Sequence, residues 1–147
     1  MKRDRRKYII SAAAVLAVLL LLSGCAASPT SEYNRLVGIT VKGVSSGSLY
    51  DMGTILSEKL KEDGCAVELQ FCGDTWSTQA VQMRSLVANR ASCIAAVLVD
   101  GSKEDLSGSF SAAKAAGIPV VIIDSEKALS DPAGTAEEAY QEIKEYL

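Results

Sequence analysis

Three carboxylates, Asp74, Asp100 and Asp124, stand just after β-rich runs, and two aromatic residues, Tyr50 and Trp76, belong to loops of the same kind. Carboxylates accept hydrogen bonds from hydroxyl groups, and aromatic faces pack on C–H surfaces. The set suits holding a neutral polyhydroxyl molecule. A purely structural reading stands beside it. An Asp after a strand serves equally as a helix cap or turn former, and Trp76 at the head of a helix serves equally as a core-edge residue. Bond-breaking chemistry has little to work with. The chain contains no histidine, which removes the commonest general base and the commonest metal ligand together. Ser-His-Asp and Cys-His catalysis are therefore excluded. No cofactor is expected either: Gly43-x-x-x-Gly47-Ser48 lacks the Gly-Lys-Ser/Thr of a phosphate loop, and no Gly-x-Gly-x-x-Gly follows the first β-rich run. Adjacent acidic residues fall on expected helix surfaces, where they read as solvated faces, so no metal site is expected.

A different chemistry is written at the N-terminus. Met1 to Lys7 is a basic cluster, Tyr8 to Leu22 is an uncharged apolar run, and Leu22-Ser23-Gly24-Cys25 follows. This is the plan of a secretory signal, with an apolar run shorter than the roughly 20 residues that span a bilayer. Leu-Ser-Gly-Cys resembles the bacterial lipobox, which implies a signal peptide over residues 1–24 and a lipid on the thiol of Cys25. The alternatives are an uncleaved membrane anchor or an ordinary signal peptide. On the lipobox reading the chain is held on the extracytoplasmic face of a cell membrane. Residues 25–35 form a short polar tether.

Removing such a signal leaves roughly 120 residues, enough for one domain with its own core. Of the 15 basic residues, five lie in the signal, against 18 acidic residues in the whole chain, so the mature part is distinctly acidic. That argues against a nucleic-acid partner, whose phosphates demand clustered Lys and Arg. Three further cysteines remain, Cys65, Cys72 and Cys93. Cys65 and Cys72 flank a single expected strand, about 20 Å apart at roughly 3.3 Å per residue, which is too far for a disulfide. Three free, mostly buried thiols are expected.

The elements that must position the polar residues alternate regularly. Strands are expected over Leu36–Val41, Ala66–Phe71, Cys93–Val99 and Ile118–Ile123. The intervening segments, Leu49 to Asp63, Trp76 to Arg90 and Asp105 to Ala116, carry apolar residues at helical spacing. Val81, Met83, Leu86 and Val87 supply the apolar side of the second of these helices. Asp124 to Asp131 reads as a loop, and Thr135-Ala136-Glu137-Glu138 has the form of a capping box opening a last helix. Four βα units of this length predict a parallel sheet with helices on both faces. The expected architecture is a three-layer α/β sandwich with strand order 2-1-3-4. In such a sheet, ligands bind outside the carboxyl ends of the strands, where Lys42, Ser45, Ser46, Tyr50, Asp74, Trp76, Asp100 and Asp124 gather.

Two stretches then become recognisable. Val67-Glu-Leu-Gln-Phe with Gln79-Ala-Val-Gln-Met-Arg-Ser-Leu-Val-Ala-Asn resembles the second strand and helix of type 1 periplasmic sugar-binding proteins. Ala96-Val-Leu-Val-Asp-Gly-Ser with Ala112-Ala-Lys-Ala-Ala-Gly-Ile-Pro-Val-Val-Ile-Ile-Asp124 resembles their third strand through fourth strand. The resemblance covers about Leu36 to Asp124. It implies the N-terminal lobe (residues 36–147) of a substrate-binding lipoprotein of an ABC sugar transporter, with a monosaccharide ligand and a permease partner. It also matches Asp124 to the sugar-binding Asp after strand four. The chain departs from the family where an Arg commonly follows that Asp, since Ser125 stands there, and in the loop Val44 to Ser48, which leaves Tyr50 as the nearby ring. The family's second lobe would need another domain's worth of residues beyond Leu147. A reading of a different class is a surface module that contacts a sensor or permease and binds no sugar itself.

Overall fold

The computed structural model describes residues 35–147; the expected signal peptide, Cys25 and all but the last residue of the tether lie outside the described residues. The chain runs β1 (Leu36–Val41), α1 (Ser48–Glu62), β2 (Ala66–Phe71), α2 (Trp76–Ala88), β3 (Cys93–Val97), α3 (Ser107–Ala115), β4 (Val120–Ile122), α4 (Ser125–Ser130) and α5 (Pro132–Lys144). The four strands form one sheet in the order β2-β1-β3-β4, parallel throughout. Strand β1 lies in the centre, with Val37 opposite both Val67 and Cys93 and Val41 opposite both Phe71 and Val97. The expected α/β sandwich and strand order are those observed.

Alternation along the strands builds the two outer layers. Val37, Ile39, Val41, Cys93, Ala95, Val97, Val121 and Ile123 turn to one face, where they meet Met52, Leu56 and Leu60 of α1, Ala128 of α4, and Ala136, Ala139 and Ile143 of α5. The spacing of four between Met52, Leu56 and Leu60 places all three on one stripe of α1, and all are fully buried. On the opposite face, Leu36, Ile94 and Val120 pack with Leu86 of α2 and Ala113 of α3. Ala80, Met83 and Leu106 make a neighbouring cluster with Leu98 and Phe110. Gly38 of β1 permits this second layer to close down. A Cβ there would lie 2.3 Å from Leu86 Cδ1.

Several local expectations are corrected. Residues 124–131 hold a helix instead of a loop, because the Asp124 carboxylate accepts hydrogen bonds from the backbone N–H of Glu126 and Lys127 and so caps α4. Helix α5 starts at Pro132, not at Thr135. Asp131 is its cap, accepting from Gly134 N at 2.9 Å, with Pro132 in the first turn, where its missing N–H costs nothing. Val81 faces solvent, and Gln79 takes the inward place. Strand β3 stops at Val97 and β4 covers Val120–Ile122 only, both shorter than the apolar runs that contain them. Cys65, Cys72 and Cys93 are free and buried, as expected. Among the described residues no helix is long and apolar enough to cross a membrane.

Candidate functional site

The carboxyl ends of the four strands open on one side of the sheet, and polar side chains of α2 fix three of them there. Gln79 is completely buried. Its Nε2 donates to Val97 O at 2.8 Å and its Oε1 accepts from Val99 N at 3.0 Å. It thereby satisfies the backbone where the ladder of β3 ends, a requirement for buried polar groups. Three residues on, Gln82 Nε2 donates to Phe71 O at 3.1 Å and Gln82 Oε1 accepts from Thr40 Oγ1 at 2.7 Å. One helix face thus holds the ends of β1, β2 and β3. The glutamines lie within the stretch that carries the family resemblance, but their inward spacing was hidden because it interrupts an otherwise apolar stripe.

Beyond the strands, the loops are joined as well. Gly43 N donates to Gly73 O at 2.8 Å and Gly73 N donates to Gly43 O at 2.9 Å. Both glycines have positive φ, 87° and 61°, a region open to glycine and strained for other residues. Lys42 reaches across the divide between β1 and β3, its Nζ 2.6 Å from Asp100 Oδ1.

The five candidate residues are distributed along this end without converging. Asp124 Oδ1 is engaged by the N–H groups of Glu126 at 2.8 Å and Lys127 at 3.0 Å. Asp100 is exposed and paired to Lys42. Asp74 is exposed in the loop after β2. Tyr50 leans on Phe71, ring centroids 5.6 Å apart. Trp76, 45% exposed, lines a groove between α2 and α3 with Arg84 and Asp105. Asp124 and Asp100 line two other cavities, adjacent ones that share Ile122 and Ile123. The helix-cap role of Asp124 is therefore real, and it leaves the second carboxylate oxygen for another donor.

The loop after β1 also contains Gly43-Val44-Ser45-Ser46-Gly47, a Gly-x-Ser-x-Gly spacing between a strand and a helix, against the expectation that this motif is missing. In hydrolases that spacing presents a nucleophilic serine to a histidine. This chain has none, so Ser45 has no histidine to activate it. The thiols are no better placed as nucleophiles. Burial pushes the pKa of Cys93 up to about 12, helped by the nearby charge of Glu142, and burial raises those of Cys65 and Cys72 as well. Among the described residues no cluster of acidic and cysteine side chains could hold a metal ion.

No protein-family model matches the chain, and no curated protein matches it. Solved structures do. An ABC transporter solute-binding protein from Clostridium phytofermentans with bound β-D-glucose superposes with a TM-score of 0.55 at 24% identity, over 63% of this chain and 29% of that one. An ABC sugar transporter subunit from Rhodobacter sphaeroides gives a TM-score of 0.57 at 22% identity, over 65% and 33%. A solute-binding protein from Bacillus halodurans with bound myo-inositol gives 0.55 at 11% identity, over 79% and 54%. The fold is that of ABC transporter solute-binding proteins, and the match spans about a third to a half of their length. These neighbours are transport binding proteins, not enzymes.

Proposed function

We propose that this chain is an extracytoplasmic solute-binding component of an ABC-type sugar transporter, corresponding to one lobe of the two-lobed clamp and held on the cell membrane by a lipid on Cys25. The observation that carries the reading is the placement of Asp74, Asp100 and Asp124 after β2, β3 and β4 in a sheet whose order, 2-1-3-4, is shared with sugar-binding neighbours. Parallel sheets take ligands at that end. In this proposal Asp124 accepts from a sugar hydroxyl through the oxygen not engaged by α4, Asp100 and Asp74 add further acceptors, and Tyr50 or Trp76 packs on the ring. A single lobe encloses little of a sugar, and enclosure is what gives small polar ligands their affinity. Binding is therefore expected near about 1 mM, or about 4 kcal/mol. Isothermal titration of the full-length chain with glucose, xylose, ribose, galactose and myo-inositol tests this. Saturable heat that Asp124→Ala removes supports it; no heat with any of the five at millimolar concentration removes sugar binding by this lobe. The anchor is tested separately, by mass spectrometry of the mature N-terminus, where an unmodified Cys25 sinks it.

A second reading has its own observation. Asp100 is paired with Lys42, and Asp124, Asp100 and Trp76 line three different cavities. A module that contacts a permease or sensor without holding sugar needs no convergent pocket. Site-specific crosslinking from residue 45 or 74 in native membranes separates the two readings, since only the second expects a protein adduct that sugar leaves unchanged.

A further inference from the structure

We propose that the groove between α2 and α3 is a binding site for a small zwitterion with an apolar body, of the kind a free amino acid with an aromatic or branched side chain presents. Sugar binding at the strand ends is a separate matter. The groove shares no residue with the cavities at Asp100 and Asp124, and no strand residue lines it. It is built from α2 and the segment that opens α3 alone.

The groove has a volume of about 440 Å³, within the range of about 300–1,000 Å³ typical of small-molecule sites. Trp76, Ala80 and Arg84 succeed one another at intervals of four along α2, a spacing that puts them on one face, and Val81 stands beside them. The apolar surface they offer is open: Trp76 is 45% and Val81 58% exposed. Among the described residues no aromatic ring packs on the indole. The two walls are tied together, since Ser109 Oγ donates to Ala80 O at 3.4 Å. Gly108, in the first turn of α3, supplies an independent observation. Its φ is not positive, and a Cβ built on it would meet nothing within 4 Å. Neither backbone conformation nor packing calls for glycine there. What its bareness preserves is the opening of the groove.

Charge selects the occupant. Arg84 on the α2 wall and Asp105 on the α3 wall are the two charged residues that line the groove. Elsewhere on the surface opposite charges pair across elements, Lys59 with Glu137, Lys127 with Glu138 and Lys144 with Asp63. Arg84 and Asp105 form no ion pair, with each other or with anything else among the described residues. A lone anion would gain from Arg84 and be repelled by Asp105; a lone cation would meet the reverse. A neutral ligand would leave both without a counter-charge. A molecule carrying both signs satisfies the pair at once: its carboxylate takes the guanidinium fork, its ammonium donates to Asp105, and its apolar body lies on Trp76 and Val81.

The test follows the fluorescence of Trp76, the chain's single tryptophan, in the full-length protein as phenylalanine or leucine is added. Each should change it saturably. N-acetylphenylalanine keeps only the carboxylate and phenylalanine amide only the ammonium. Each should bind at least about tenfold more weakly than phenylalanine, the loss expected for one charge-assisted hydrogen bond. Asp105→Asn should erase the penalty of acetylation, and Arg84→Gln that of amidation. Gly108→Leu fills the groove and should abolish binding with the circular dichroism unchanged. Should that variant lose its fold, Val81→Ser, at an exposed position, replaces it and should weaken leucine binding. Absence of a saturable change with either amino acid, equal binding of phenylalanine and its two blocked forms, or binding indifferent to the groove variants would overturn the proposal. Glucose that produced the same change and competed with phenylalanine would also overturn it, by giving the groove to a sugar.

Discussion

The two faces of the sheet are closed by different means. The face covered by α1, α4 and α5 is one continuous apolar layer, with Met52, Leu56 and Leu60 seated on Val37, Ile39 and Val41 and their neighbours. The face covered by α2 and α3 is divided into two smaller clusters. It is completed by an absent side chain, at Gly38, and by a buried amide, at Gln79. The first face depends on the volume of its side chains and tolerates change in proportion to volume. The second depends on close approach and on hydrogen bonds made at single atoms, and it is this second face that holds the strand ends of the candidate site.

That contrast can be broken most strongly at Leu56. Leu56→Ala removes a fully buried side chain and should cost about 2–5 kcal/mol in urea denaturation, with Leu56→Met costing little. On the second face Gly38→Ala should cost about 1–3 kcal/mol, because the new Cβ would meet Leu86 Cδ1 at 2.3 Å and Cδ2 at 2.5 Å. Combining it with Leu86→Ala should recover part of the loss, whereas the same second substitution should only add to the cost of Leu56→Ala. Additive Gly38 and Leu86 effects would show that close approach does not govern this face. Gln79→Leu keeps the volume but strands Val99 N, while Val97 O keeps its bond from Lys42 N, and about 1–3 kcal/mol should be lost. Faster amide exchange at Val99, with exchange in β1 unchanged relative to the loss of global stability, would localise that effect.

A pH experiment sharpens the contrast from the other side. Cys93 lies in the large apolar layer, and its folded pKa of about 12 is above the ordinary 9.0. The unfolded chain releases the proton first, so the stabilisation is full below pH 9 and is lost as pH rises towards 12. The slope this thiol contributes is about 1.4 kcal/mol per pH unit. Cys93→Ala should flatten the decline over that window, and an identical slope in both proteins would refute the assignment. The smallest effect belongs to Lys42 and Asp100. With Asp100 open to solvent on its side of the pair, Asp100→Asn should change stability by under about 1 kcal/mol.

The large features were legible from one sequence because they repeat. Continuous apolar runs such as Cys93-Ile94-Ala95-Ala96-Val97 mark strands buried on both faces, and helices of 9 to 15 residues between them force parallel crossovers. What escaped was local and polar. Asp124 was legible as a site candidate and as a cap, but that it opens a six-residue helix depended on Ala128 finding the core, a tertiary contact with no period to reveal it. Gln79 escaped for the opposite reason: a glutamine in an amphipathic helix reads as solvent-facing until the strand end it completes is known. Asp74, Asp100 and Asp124 follow the strands expected to precede them, whereas Tyr50 and Trp76, expected in loops, fall in the first turns of α1 and α2. That Asp100, Asp124 and Trp76 line different cavities depends on side-chain directions that spacing does not encode.

The paired glycines, Gly43 and Gly73, have a mechanical consequence. Because each donates to and accepts from the other, the segments after β1 and β2 are yoked like two links sharing a pin. Ser45 and Asp74 each stand within two residues of that pin, so displacing either loop strains the bonds that hold the other.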